Sequence, residues 1–151
     1  MQKITPYLWF DGQAEEAAAH YTSIFKDARV ADVQRMGDGT VMTVTFEIDG
    51  QRFVGLNGGP QFAFTEAVSL FVSCQDQAEV DELWDRLTEG GEPGQCGWLK
   101  DRYGLSWQII PTALGELMGD PDPEKAGRVV QAMLGMSKID IQGLRDAYDG
   151  R

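Results

Sequence analysis

Ser106 and Gln108, two residues apart in Ser106-Trp107-Gln108-Ile109-Ile110-Pro111, are the side chains whose types and spacing could do chemistry here. In an extended strand they share a face with Ile110, while Trp107 and Ile109 point the other way. A hydroxyl and a carboxamide on an otherwise apolar strand can orient a small ligand by hydrogen bonding. They can equally satisfy backbone groups at strand ends. Asn57, closing another β-rich run, carries the same two readings. Trp98 alternates with Cys96 and Lys100 on the segment that the tight Asp101-Arg102-Tyr103-Gly104 turn pairs with Gln108. Trp98 and Trp9 offer flat walls for a planar ring, or they are plain core. Cys96 is a nucleophile only if a cation such as Lys100 favours its thiolate. No base stands at a recognisable spacing, so an inert thiol is the simpler reading, and no residue is assigned a catalytic role. His20 sits beside the apolar stripe of a helix, as a flanking or interface histidine. Asp101 with Arg102 reads as turn chemistry and a solvated pair.

Composition narrows the function classes. The 151 residues carry a formal net charge of -11, and the 13 Lys and Arg are scattered singly, so no basic stripe exists to meet a phosphate backbone. Nucleic-acid binding is therefore not expected. No segment approaches the apolar length of a membrane span or a signal peptide, and a soluble, cytoplasmic protein is the expectation. Two cysteines, Cys74 and Cys96, without Cys-x-x-Cys spacing predict free thiols.

The elements that must position these residues follow from periodicity. Lys3 to Phe10 predicts a first strand, with Pro6 marking an edge or a bulge. Asp11 stands where an N-cap would, before a helix over about 13 to 25 with apolar Ala14, Ala17, Ala18, Tyr21, Ile24 and Phe25. Three strands follow, about 29 to 36, 40 to 48 and 51 to 57, the last two joined by the hairpin signal Asp49-Gly50. The order then begins again. Ala67 to Ser73 alternates like a strand, Asp76 caps a helix whose apolar face is Val80, Leu83, Trp84 and Leu87, and a short strand over Glu92 to Cys96 precedes the Trp98 to Pro111 hairpin. The chain thus carries two copies of one β-α-β-β-β plan. Beyond it, Ala113 to Met118 makes a helical turn, Asp122 and Pro123 open a helix through Leu134, and Asp140 opens another, with Ile139 and Leu144 at hydrophobic-staple spacing. These amphipathic helices bury their stripes on the domain or on a second subunit.

Five segments in order carry a family likeness: Trp9-Phe10-Asp11-Gly12-Gln13-Ala14-Glu15-Glu16-Ala17, Leu56-Asn57-Gly58-Gly59-Pro60, Gln95-Cys96-Gly97-Trp98-Leu99-Lys100-Asp101, Tyr103-Gly104-Leu105-Ser106-Trp107-Gln108 and Asp120-Pro121-Asp122-Pro123-Glu124-Lys125-Ala126. Together they resemble the PhnB-like branch, labelled 3-demethylubiquinone-9 3-methyltransferase-like, of the vicinal oxygen chelate superfamily of glyoxalases, bleomycin-resistance proteins and extradiol dioxygenases. The resemblance implies an α+β fold, with two βαβββ modules (about 1 to 60 and 61 to 112) forming a curled mixed sheet around a cavity, a helical tail over 113 to 151, one domain in all, and a homodimer. It also implies metal-ligand positions at Ile4 to Pro6, near Gly55, near Val68 and at Gln108. Only Gln108 could coordinate an ion, so neither a metal nor another cofactor is expected. Gly55-Leu56-Asn57-Gly58-Gly59 lacks the following helix of an adenosylmethionine loop and reads as the turn between modules. The expected function is a metal-free cavity protein holding a small, partly aromatic molecule, with Gln108, Ser106, Asn57, Trp98, Cys96 and Trp9 as ligand contacts. The alternative is an enzyme acting on such a molecule, 3-demethylubiquinone methyltransferase-like by the family label, or a metal-dependent lyase or dioxygenase, which the near-empty ligand positions disfavour.

Overall fold

Asp49 and Gly50 take positive φ, 50° and 80°, in the computed structural model of the chain, which closes the two-residue hairpin their types predict. The structure describes residues 2 to 151. They divide into two units, the first ending at Phe64 and the second running from Thr65 to Arg151. The tail helices fall within the second.

The first unit comprises β1 (Tyr7–Phe10), α1 (Ala14–Ile24), β2 (Ala28–Arg35), β3 (Val41–Ile48) and β4 (Gln51–Asn57). Its sheet order is β1-β4-β3-β2, with β1 parallel to β4 and the other pairs antiparallel. The buried stripe of α1, Ala14, Ala17, Ala18, Tyr21 and Ile24, is rich in small residues, which lets the helix lie close to the sheet. Tyr21 meets Phe46 at 5.9 Å between ring centroids, and Phe46 stacks on Phe53 at 5.4 Å.

Two expectations are corrected here. The first strand begins at Tyr7 rather than Lys3. Asp11 does not cap α1, because Gly12 takes φ of 80° and swings the chain so that Gln13 becomes the N-cap without a side-chain bond. The acceptor instead comes from β4, where Asn57 Oδ1 receives the Ala14 N–H at 2.8 Å.

The second unit comprises β5 (Ser69–Cys74), α2 (Gln77–Thr88), β6 (Glu92–Pro93), β7 (Trp98–Lys100), β8 (Ser106–Pro111), α3 (Thr112–Met118), α4 (Pro123–Leu134) and α5 (Ile141–Tyr148). Its sheet order, β5-β8-β7-β6, repeats the first unit's plan, with β5 parallel to β8. The expected α+β class and the paired βαβββ modules are present, each module with its own four-stranded mixed sheet. Asp76 caps α2 by accepting the Glu79 N–H at 2.9 Å. Asp122 and Asp140 cap α4 and α5 in the same way, through Glu124 and Gln142.

The stripes of the tail helices are spent in part inside this unit, where Val129, Ile139 and Leu144 pack with Ile110 and Leu114 in one cluster. Ile139 and Leu144 both being fully buried is what a hydrophobic staple requires. Leu134 of α4 and Met118 of α3 stay exposed, so the unit covers these stripes only in part. Gln77 at the start of α2 fastens the tail, donating to the Ile139 carbonyl at 3.0 Å and accepting the Ile141 N–H at 2.8 Å.

Candidate functional site

The pairing register of the second sheet assembles the site. Glu92 opposes Lys100, Lys100 opposes Ser106 and Ser106 opposes Ser69, so one row of four side chains crosses all four strands on a single face. The next row on that face carries Trp98, Gln108 and Phe71. Leu99, Trp107 and Ile109 alternate onto the opposite face and are buried, where α2 packs on β7 and β8. The face bearing the polar rows is thus the one left without a helix over its centre.

A cavity of about 320 Å³ opens on this face, lined by Glu66, Glu92, Gln95, Trp98, Lys100 and Ser106 with the backbone around Pro93 and Gly94. Ser106 is the most buried of its polar lining residues. It is 1% exposed, and its Oγ has no hydrogen-bond partner among the described residues. A buried hydroxyl left in that state costs about 1–3 kcal/mol. Gln108 is already engaged, donating from Nε2 to Ser69 Oγ at 2.9 Å. Its carboxamide oxygen remains on the polar face as an acceptor.

Charge at the site is arranged around Lys100. Its Nζ pairs with the Glu66 carboxylate, and this hydrogen bond, then the charge of Glu66, with Glu92 adding to the pull, holds the ammonium above the usual lysine value. The same bond lowers the Glu66 carboxyl below its ordinary value. Lys100 therefore does not serve Cys96.

Cys96 lies outside the row altogether. It adopts φ of 59° and Gly97 follows with 85°, so the expected alternation of Cys96 with Trp98 is broken before β7 begins. The Cys96 N–H donates to the Met136 carbonyl at 2.8 Å and the Gly97 N–H to Ser137 at 2.8 Å, fastening this corner to the tail. The Cys96 thiol lies toward the Leu134 carbonyl, 4.0 Å away. Cys74 is fully buried, and that burial pushes its thiol up to about 12.

Asp101 departs furthest from its expectation as half of a solvated pair. It is 2% exposed. Its Oδ1 accepts the Tyr103 N–H at 2.9 Å and the Leu105 N–H at 3.0 Å, and its Oδ2 accepts Trp107 Nε1–H at 2.9 Å. The carboxylate thus braces the turn that delivers Lys100 and Ser106 to facing positions. Gly104, at φ of 87°, completes that turn as its type predicts.

Asn57 and Trp9 belong to the first unit and have structural employment there. Asn57 caps α1 and donates to the Val41 carbonyl at 3.1 Å, so both ends of its amide are bonded. Trp9 donates from Nε1 to the Gly59 carbonyl at 2.9 Å, and the edge of Phe62 meets its ring at 4.9 Å. A Cβ at Gly58 would fall 2.3 Å from the indole, so the Gly58-Gly59 turn is filled by Trp9. Four of the six residues the sequence singles out, Ser106, Gln108, Trp98 and Cys96, lie in the second unit, and the first three share one face. Glu66 and Glu92 escaped the sequence reading, because Glu92 meets Lys100 only through the strand register and Glu66 only through an ion pair from the turn before β5.

The ligand positions the fold family implies do not suit a divalent ion. Gly55 packs under Phe10 and Ala14, Val68 offers no donor, and Gln108 alone supplies one neutral amide oxygen. Among the described residues no group of three or more His, Cys, Asp or Glu side chains gathers to hold a metal. The glycine turn after β4 is likewise unsuited to an adenosylmethionine tail, since Trp9 fills it and no helix follows.

A solved protein from Bacillus cereus, described as a putative 3-demethylubiquinone-9 3-methyltransferase and PhnB protein, is 35% identical over 73% of this chain and 99% of its own, with a TM-score of 0.69. A protein from Pseudomonas aeruginosa has the same fold at 18% identity, over 74% and 98% of the two chains, with a TM-score of 0.59. The fosfomycin resistance protein FosX from Listeria monocytogenes, solved with Mn(II) and sulfate, is similar at 18% identity, over 71% and 90%, with a TM-score of 0.53. No curated protein matches the chain. The profile of the 3-demethylubiquinone-9 3-methyltransferase family matches residues 2 to 110, and the chain belongs to that PhnB-like family within the glyoxalase and bleomycin-resistance fold.

Proposed function

We propose that this protein binds a small, partly aromatic molecule on the open face of its second sheet, without a metal ion. The observation that carries the reading is Ser106, a buried hydroxyl without a partner at the floor of a cavity of about 320 Å³ walled by Trp98. That volume lies at the small end of ligand sites, and the lining has the usual make-up of an apolar wall with a few polar groups. A larger open groove beside α4, lined by Glu124, Arg128 and Gln131, is the weaker candidate. Its Arg128 is already bonded to the carbonyls of Ala147 and Tyr148.

Native mass spectrometry of the purified protein, followed by an aromatic fragment screen against the parent, Ser106→Ala and Trp98→Ala, tests the proposal. Fragments that stabilise the parent and lose that effect in both variants support it. About one divalent ion retained per subunit would refute the metal-free reading, and turnover of a bound compound abolished by Gln108→Ala would make the protein an enzyme. The same spectrum gives the subunit number and so decides whether the chain is the homodimer its family likeness implies.

A further inference from the structure

The charges at the cavity do not balance. Glu66 and Glu92 face it with Lys100 as the one cation among the lining residues. Lys100 is committed to Glu66. Glu92 makes no hydrogen bond or ion pair among the described residues, and it stands in register with Lys100, two strands from Ser106. Two strand spacings are roughly 10 Å, so Glu92 and Ser106 mark the ends of a short track, with the ring of Trp98 one row along.

An anionic guest would have to take Lys100 from Glu66 and approach Glu92 on a chain whose net charge is already -11. A cationic guest meets the carboxylate of Glu92, which only adds to the field at Lys100, with the hydroxyl of Ser106 and the indole of Trp98 beside it, and leaves the Lys100 pair with Glu66 in place.

We infer that the guest is an aromatic cation short enough to lie along this track, its ammonium on Glu92 and a ring donor on Ser106, with Trp98 flanking the ring. The inference rests on the small-molecule reading of this cavity and specifies the chemistry of its occupant. Tryptamine, which carries an indole N–H and, on a two-carbon arm from the same ring, an ammonium, is a suitable probe. Indole-3-propionate places a carboxylate at a similar reach, and 3-methylindole has no charge.

Isothermal titration calorimetry of the full chain with these three probes gives the test. Tryptamine is expected to bind about tenfold more tightly than indole-3-propionate, and Glu92→Gln to weaken tryptamine about threefold to fivefold while leaving 3-methylindole unchanged. Added salt should weaken tryptamine alone. A preference for tryptamine that persists undiminished in Glu92→Gln overturns the inference. So does tighter binding of the propionate that Lys100→Ala removes. In either case binding that Trp98→Ala abolishes leaves the cavity reading standing. If none of the three probes binds at millimolar concentration, the cavity reading itself is refuted.

Discussion

Replacing Asp101 tests how the turn that presents Lys100 and Ser106 is held. In Asp101→Ala the N–H of Leu105 and the Nε1–H of Trp107 lose their acceptor in the interior, both residues being 2% exposed. Each stranded donor costs about 1–3 kcal/mol, while the half-buried Tyr103 N–H can turn to water at smaller cost, so the total is about 4 kcal/mol. For a domain whose whole stability is about 5–15 kcal/mol this is a severe loss. Asp101→Asn is the sharper variant. Its amide oxygen can keep the two backbone bonds, but its N–H then faces the indole N–H of Trp107, one donor against another. That variant should lose about 1–3 kcal/mol. Urea unfolding followed by near-ultraviolet circular dichroism measures both losses. A Trp107→Phe background should reduce the Asp101→Asn loss to less than about half, because the donor it offends is gone. If Asp101→Ala unfolds within about 1 kcal/mol of the parent, the carboxylate is not the brace we describe.

Three further outcomes follow from the same structure. The Cys74 thiol, pushed up to about 12 from an ordinary 9.0, keeps its proton in the folded chain after the unfolded chain has lost its own. Stability should therefore fall as pH rises from 9.0 toward 12, and Cys74→Ala should remove that part of the fall in alkaline unfolding curves. Gly58→Ala drives a methyl into the Trp9 indole and should cost about 1–3 kcal/mol, with a shift in tryptophan emission as the ring leaves the Gly59 carbonyl. Gln77→Ala removes the clasp between α2 and the start of α5 and should cost about 1–3 kcal/mol, with hydrogen exchange rising first over residues 139 to 144. Uniform exchange along the chain would refute a local clasp.

What the sequence made legible was local chemistry. Asp49-Gly50 folds as its residue types require, Asp76 caps its helix, Asp122 with Pro123 opens another, and Ile139 with Leu144 forms the staple, because each depends on neighbours a few positions away. The misreadings involve a partner distant in the chain, a break in backbone rhythm, or a near neighbour that folds back onto the residue. Asp11 lost its capping role to Asn57, 43 residues from the N–H it receives. Cys96 left the strand face because two successive residues take positive φ, which alternation counting does not foresee. Asp101 reads as a surface turn residue until the indole of Trp107 is seen to fold back onto it. Ser106 and Gln108 were legible as sharing a face, but only pairing of β8 with both β5 and β7 distinguishes a bonded amide from an unbonded hydroxyl.

The fastening of the tail bears on where this chain can be cut. The match to the family profile ends at residue 110, an inviting point at which to trim the protein for expression or to join it to another. Yet the Cys96 and Gly97 amides find their acceptors at Met136 and Ser137, and Ile110 is covered by Val129, Ile139 and Leu144. Ending the chain there would strip three fully buried side chains from the interior, at about 1.5–3 kcal/mol each, and would leave the corner before Trp98 with two amides open to solvent. The smallest unit that can be moved between proteins with this packing intact therefore extends beyond residue 110 to α5, and a fusion partner belongs after Tyr148.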